Sequence, residues 1–295
     1  MATLRDIRTR IASVKNIAKI TSAMKMVAVA KMRRAQANIF AARPYAEKLG
    51  TMISLLAADQ ENLTSPLFEQ RSAVRNVALI VVSADRGLCG GFNANLLRNA
   101  QNQLRALTKQ YPEAKIHLIT IGKRSTDFFT RREVTIDAKF PGVFSKLEFA
   151  TAQSIGRLAV NGFLKGDYDK VQIIVNEFRS IAKQEVAVHD FLPIAPAKSA
   201  EKGAKNLNVE YIYEPSQTEV LNDILPKHLN MQVWRAMLES NAAEQAARMM
   251  AMENATRNAK ELNRSLTLTY NKLRQAAITT EILEVVGGAE ALRQA

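Results

Sequence analysis

The sequence predicts a mixed α+β/α/β protein. A long antiparallel two-helix coiled coil is formed by the N- and C-terminal segments, and a Rossmann-like three-layer α/β domain lies between them. Three observations predict this. No Gly or Pro occurs from Met1 to Arg43 or from Lys227 to Val286, so both ends can run as unbroken helices. Between them, short β-branched runs alternate with helical stretches, the pattern of a mostly parallel sheet. Aromatic residues are only 6% of a chain that is 47% apolar, a balance closer to Ala-, Met- and Leu-rich helices than to a β-sandwich.

Each element follows from local pattern. The first helix covers 1–58, with apolar residues at Leu4, Ile7, Ile11 and Val14 and then at Ile17, Ile20, Met24 and Val27, which is heptad spacing with one phase shift. The last helix covers 216–295 and carries a looser seam. Its residues are Val233, Met237, Ala247, Met250, Asn254, Leu262, Leu266, Tyr270, Leu273, Ala277, Leu283 and Val286. Its Pro- and Gly-free stretch alone would span about 90 Å at 1.5 Å per residue, longer than a compact domain of this chain is wide. It cannot all be buried in its own domain. The domain at 74–215 has predicted strands at 74–83, 115–121, 133–138, 171–178, 185–191 and 208–213. Helices are predicted at 95–110, 122–130 and 147–164, and 196–206 reads as a polar surface loop.

The charge is concentrated at one end. Residues 1–48 hold eleven Lys and Arg against two acids, Asp6 and Glu47, and so carry most of the net +13. The surroundings of that helix are expected to be acidic or anionic. Nucleic acid fits poorly, because no stacking aromatics are interleaved with the cations and no recognised motif is present. The single cysteine, Cys89, excludes an internal disulfide and a multi-cysteine metal site. No run approaches the roughly 18 apolar residues of a spanning helix. The Arg-rich start continues without a cleavage-like break and reads as mature structure.

The stretch Val81–Asn93, VVSADRGLCGGFN, has the strand, glycine loop and helix order of a phosphate cradle. Its glycines, Gly87, Gly90 and Gly91, do not fit G-x-G-x-x-G, and Gly122-Lys123-Arg124-Ser125 is preceded by His117 where a Walker loop needs Gly. The loop reads as a structural turn, with Gly supplying φ > 0; Asp85 and Arg86 pair locally or touch a neighbour. His117 and His189 sit in strand-like runs and read as hydrogen-bonded structural residues, so Cys89 has no evident base. No catalytic, cofactor or metal site is expected.

Three stretches resemble one family. IRTRIASVKNIAKITSAMKMVAVAKMRRAQ near the start, SADRGLCGGFN, and ESNAAEQAARMMAMENATRNAK with YNKLRQAAITTEILEVVGGAEAL near the end are similar, in order and over essentially the whole chain, to the gamma-subunit family of bacterial F-type ATP synthases. The resemblance implies a single-copy central-stalk rotor. It would couple proton flow through the membrane c-ring to ATP synthesis in the hexamer of alpha and beta subunits, and regulate ATPase activity there. Catalysis would reside in beta, and no cofactor is implied. The location would be peripheral, on the cytoplasmic face of the bacterial inner membrane, touching the membrane only through the complex. By motif match, contacts with the hexamer fall on Met24, Arg248, Arg274, Gln275, Thr279 and Glu281. Met24 reads equally as seam packing, and Gln275 and Thr279, four apart on one face, as solvated. Contacts with the c-ring and the epsilon subunit fall on Tyr211, Tyr213 and Glu214; the two tyrosines, on one face of an edge strand, serve equally as a cover for the sheet edge.

Overall fold

A computed structural model describes residues 3–57, 65–71, 73–132, 134–194, 214 and 216–294. Two helices dominate it, α1 (Leu4–Ala57) and α5 (Gln217–Gln294). The elements between them are β1 (Asn76–Val82), α2 (Phe92–Gln110), β2 (Lys115–Ile121), α3 (Lys123–Thr130), β3 (Ile136–Phe140), α4 (Phe149–Lys165), β4 (Lys170–Phe178) and β5 (Gln184–Leu192). The predicted strand at 208–213 and the loop at 196–206 lie outside the described residues. The chain divides into two compact units, residues 29–248 and residues 1–28 with 249–295.

In the 29–248 unit the sheet runs β3-β2-β1-β4-β5, parallel except for β5, which pairs antiparallel with β4. β1 is buried from Val77 to Val82, because a central parallel strand is covered on both faces. Its alternate side chains divide the core. Ala78, Ile80 and Val82 join Ile155 and Phe163 of α4, Leu49, Ile53 and Leu56 of α1, and Leu221, Leu225 and Leu229 of α5. Leu79 and Val81 face Leu96, Leu97 and Ala100 of α2 and Phe129 of α3. This is the expected three-layer arrangement, with the far ends of both long helices serving as part of one layer.

The entry to the sheet is pinned by Asp169. Its carboxylate accepts from the backbone N–H of Arg75 (2.7 Å) and Asn76 (2.8 Å) and pairs with Arg71 at 2.7 Å. Burial pushes this carboxyl up, but the Arg71 guanidinium and the two amides outweigh burial and hold it below the usual Asp range. A lowered carboxyl contributes stability that is present above the unfolded value and is lost as pH falls through the folded one. Wild-type stability should therefore decline as pH drops below about 4. Asp169→Asn should cost on the order of 3 kcal/mol at neutral pH by stranding Arg71, and should flatten that part of the acid limb. Denaturant titrations at pH 7 and pH 3 check both statements.

In the other unit α1 begins with a reciprocal cap: Thr3 N–H donates to Asp6 Oδ2 (3.0 Å) and Asp6 N–H to Thr3 Oγ1 (3.2 Å). Thr21 and Thr256 share a hydroxyl hydrogen bond of 2.7 Å, and Lys25 pairs with Glu253 at 2.9 Å. Four residues forward on one helix against three back on the other is antiparallel pairing. The seam differs from the predicted one. Ile17, Ile20 and Val27 are 50%, 59% and 56% exposed. The covered stripe instead continues from Val14 through Ala18, Thr21, Lys25 and Ala28, alternating four and three with no phase shift. On α5 it passes through Met252, Thr256, Ala259 and Asn263 rather than Asn254 and Leu262, which are exposed. Hydrophobicity fails to mark this seam because small and hydroxyl side chains, which let two helix backbones approach, occupy it.

Candidate functional site

In an open α/β sheet, ligands bind in the crevice outside the carboxyl ends of the strands, where the strand order reverses. Here that place lies between β1 and β4, and the chain fills it. Ala84 and Cys89 of the loop and Phe92 of α2 pack with Ala243 of α5, flanked by Phe178 and Ala247. Asp85 occupies the position an anion would take at the start of α3. Its carboxylate accepts from the backbone N–H groups of Lys123, Gly142 and Phe144, each at 2.8 Å. Asp85 is thus held by backbone amides of two segments distant in sequence rather than by Arg86, which is exposed.

The loop turns differently from the prediction. Of its three glycines only Gly90 has positive φ (58°); Leu88 supplies the second left-handed residue, at φ 61°. Gly91 has φ −79° at the start of α2. A Cβ at Gly87 would lie 2.6 Å from Arg124 Nη2, the far end of a flexible side chain that can move aside. Asn93 stitches the turn, accepting from Ala84 N–H at 3.1 Å and donating to Arg86 O at 3.2 Å. Burial pushes the Cys89 thiol up, with Glu244 adding to the rise, so it is a poor nucleophile. His117 is hydrogen-bonded to Asp137 (2.7 Å) and Asn76 (3.3 Å), and His189 to Glu177 (2.8 Å), as expected of structural histidines. Among the described residues no group of His, Cys, Asp and Glu could hold a metal ion.

Arg248 reaches into the same place. Its side chain is 12% exposed, pairs with the 6% exposed Glu244 side chain at 2.6 Å and donates from Nη2 to Gly87 O at 3.1 Å. Burial pushes the Glu244 carboxyl up, and the Arg248 guanidinium offsets only part of that rise. The pair is held against its own desolvation cost.

The other residues predicted to contact the hexamer belong to the helix-pair unit. Met24 is half-buried, between its two readings, and Arg274, Gln275, Thr279 and Glu281 are exposed; the Thr279 hydroxyl donates to Gln275 O at 2.9 Å. Glu214 is exposed, while Tyr211 and Tyr213 lie outside the described residues. Around them lie two surfaces suited to partners. Of the basic residues in 1–48, only Lys25 makes an ion pair among the described residues. On α5, Ile278, Ile282, Leu283, Val285 and Val286 stand 47%, 57%, 66%, 72% and 58% exposed. The sequence pattern places Leu283 and Val286 in the seam, and the structure exposes both. The available signal was length: α5 has 78 residues against 54 in α1, so its last turns outrun the helix that could cover them. Among the described residues no helix is long and apolar enough to cross a membrane.

The family model of ATP synthase matches residues 3–292. An ATP synthase gamma chain of Chloroherpeton thalassium is 48% identical, with 100% of this chain and 99% of that one covered. A gamma chain of Chlorobaculum parvum is 47% identical, covering all of both. The fold is similar to a chain in the mitochondrial ATP synthase of Euglena gracilis (23% identity, TM-score 0.67, 98% of this chain and 94% of that one). It is also similar to one in the central stalk and c-ring structure of Tetrahymena thermophila mitochondrial ATP synthase (25%, 0.61, 80% and 99%).

Proposed function

This chain belongs to the gamma chains of the ATP synthase family, and on that premise we propose that it is the central-stalk rotor subunit, transmitting torque between a membrane c-ring and a catalytic hexamer. The observation that carries this reading is the end of α5. Five large apolar side chains there are about half exposed or more, along a helix that also bears Arg274, Gln275, Thr279 and Glu281. Burying a side chain of that size contributes roughly 1.5–3 kcal/mol, so this segment is made to be enclosed by something other than its own chain. A ring of alpha and beta subunits is such an enclosure. The unpaired cations of α1 suit acidic surfaces that pass it in turn, with Met24 among the contacts.

Rotation of one asymmetric shaft inside a threefold set of sites presents each site with a different face in turn, and so with a different nucleotide affinity. The chain itself transmits and biases; ATP is made or hydrolysed on beta, and no cofactor is held here. Glu214, with Tyr211 and Tyr213, is the proposed contact with the c-ring and epsilon. The chain is present once per complex and sits at the cytoplasmic face of a bacterial inner membrane, reaching it only through its partners. Affinity purification of the tagged chain should bring down two larger nucleotide-binding subunits, three copies of each per chain, together with epsilon and the ring. Recovery of the chain alone, or with nucleic acid, would remove this reading.

A further inference from the structure

We infer that Glu244 and Arg248 form the joint that locks α5 to the sheet domain against twisting, so that torque passes between them at the filled crevice. The inference rests on the rotor reading. A smooth apolar helix face resists separation, but it resists sliding and rotation about the helix axis poorly, because apolar contact is non-directional. Ala243 and Ala247, the α5 residues in this crevice, have almost no side chain with which to interlock. Directional contact comes from the next positions. Arg248 Nη2 meets both the Gly87 carbonyl, at 3.1 Å, and the Glu244 carboxylate, at 2.6 Å, and two charge-assisted contacts converging on one nitrogen of a planar guanidinium fix orientation as well as distance.

The far side of the joint is rigid for reasons already given. The loop around Gly87 is tied to α3 and to residues 142–144 through Asp85, and to α2 through Asn93. Burial pushes the Glu244 carboxyl up, so the pair is maintained at a cost to stability and stands as a specificity device rather than a stabilising one. A rotor needs such a device at a point where a helix crosses a domain it must drive.

The test uses the whole complex in vesicles, with ATP-driven proton pumping and ATP hydrolysis measured together, first without an opposing gradient and then against an imposed one. Arg248→Met should leave the unloaded ratio of protons to ATP near wild type and lower it roughly twofold or more against a gradient, the span that comparable coupling changes cover. Arg248→Lys, which keeps the charge but loses the planar guanidinium, should fall between. The double variant Glu244→Gln/Arg248→Met strands no charge, so it should assemble normally and still slip. Amide hydrogen exchange over residues 84–91 should speed up in the two variants carrying Arg248→Met, in the complex and in the isolated full-length chain. Unchanged pumping against the gradient overturns the joint, and so does unchanged loop exchange; if a variant fails to assemble, exchange in the isolated chain decides alone. Slower hydrolysis in the soluble sector with loop exchange unaltered would assign Arg248 to partner contact instead. Failure of the rotor reading is distinguishable, because the wild-type chain would then not copurify with the hexamer.

Discussion

Gly122→Ala is expected to destabilise the sheet domain by roughly 3–5 kcal/mol, enough to leave much of the protein unfolded at 37 °C. Gly122 joins β2 to α3 at φ +91°, and a Cβ there would sit 2.1 Å from the backbone oxygen of Ser83. That oxygen cannot yield. Ser83 is fully buried at the end of β1, its N–H donates to Ile121 O at 2.8 Å, and its hydroxyl bonds Ser125 at 2.8 Å. Gly142→Ala is the control. It shares the positive φ, +81°, though in the left-handed α region (ψ 2°) rather than at the ψ of 147° found at Gly122, and it meets nothing within 4 Å, so it should cost only the conformational penalty of about 1–2 kcal/mol. Urea midpoints for the three proteins give the comparison, and equal losses in the two variants would refute the steric account.

Leu283→Asp with Val286→Asp should leave the isolated chain nearly unchanged, within about 0.5 kcal/mol, because both side chains are exposed there. In the complex the same pair should weaken retention of the shaft by two decades or more. Each position forfeits about 1.5–3 kcal/mol of apolar burial, and every 1.4 kcal/mol is tenfold. Helicity and melting of the free chain, set beside salt-resistant copurification with the hexamer, separate the two effects. Wild-type retention would mean that the end of α5 is not enclosed.

The central domain was legible because its signals are local and redundant. β2 at Lys115–Ile121 is bounded as its β-branched run suggests, and β1, with both faces covered, reads as an unbroken apolar stretch. The seam of the helix pair was legible only as far as Val14. Beyond it the covered positions are Ala18, Thr21, Lys25 and Ala28, while the larger Ile17, Ile20 and Val27 face outward, and a rule that follows hydrophobicity follows the wrong stripe. At the glycine loop the sequence excluded the common phosphate motifs but did not show what fills the crevice. Ala243, Glu244 and Arg248 lie more than 150 positions from Gly87, and nothing short-range links them. Arg248 illustrates the limit: a motif match assigns it a partner, and no short-range signal gives the contacts its guanidinium makes with Glu244 and Gly87.

The uninterrupted four-three alternation of α1 has a mechanical corollary. A seam repeating strictly every seven residues makes two α-helices wind left-handed about each other. A left-handed rope tightens when twisted one way and opens when twisted the other. Alanines and threonines in the seam already let the two backbones approach, so little room is left for it to close further. The strand pair is then a spring of unequal stiffness, storing less angle when driven in the tightening sense than in the opposite one, and the two working directions of the machine would feel different compliance in the same part.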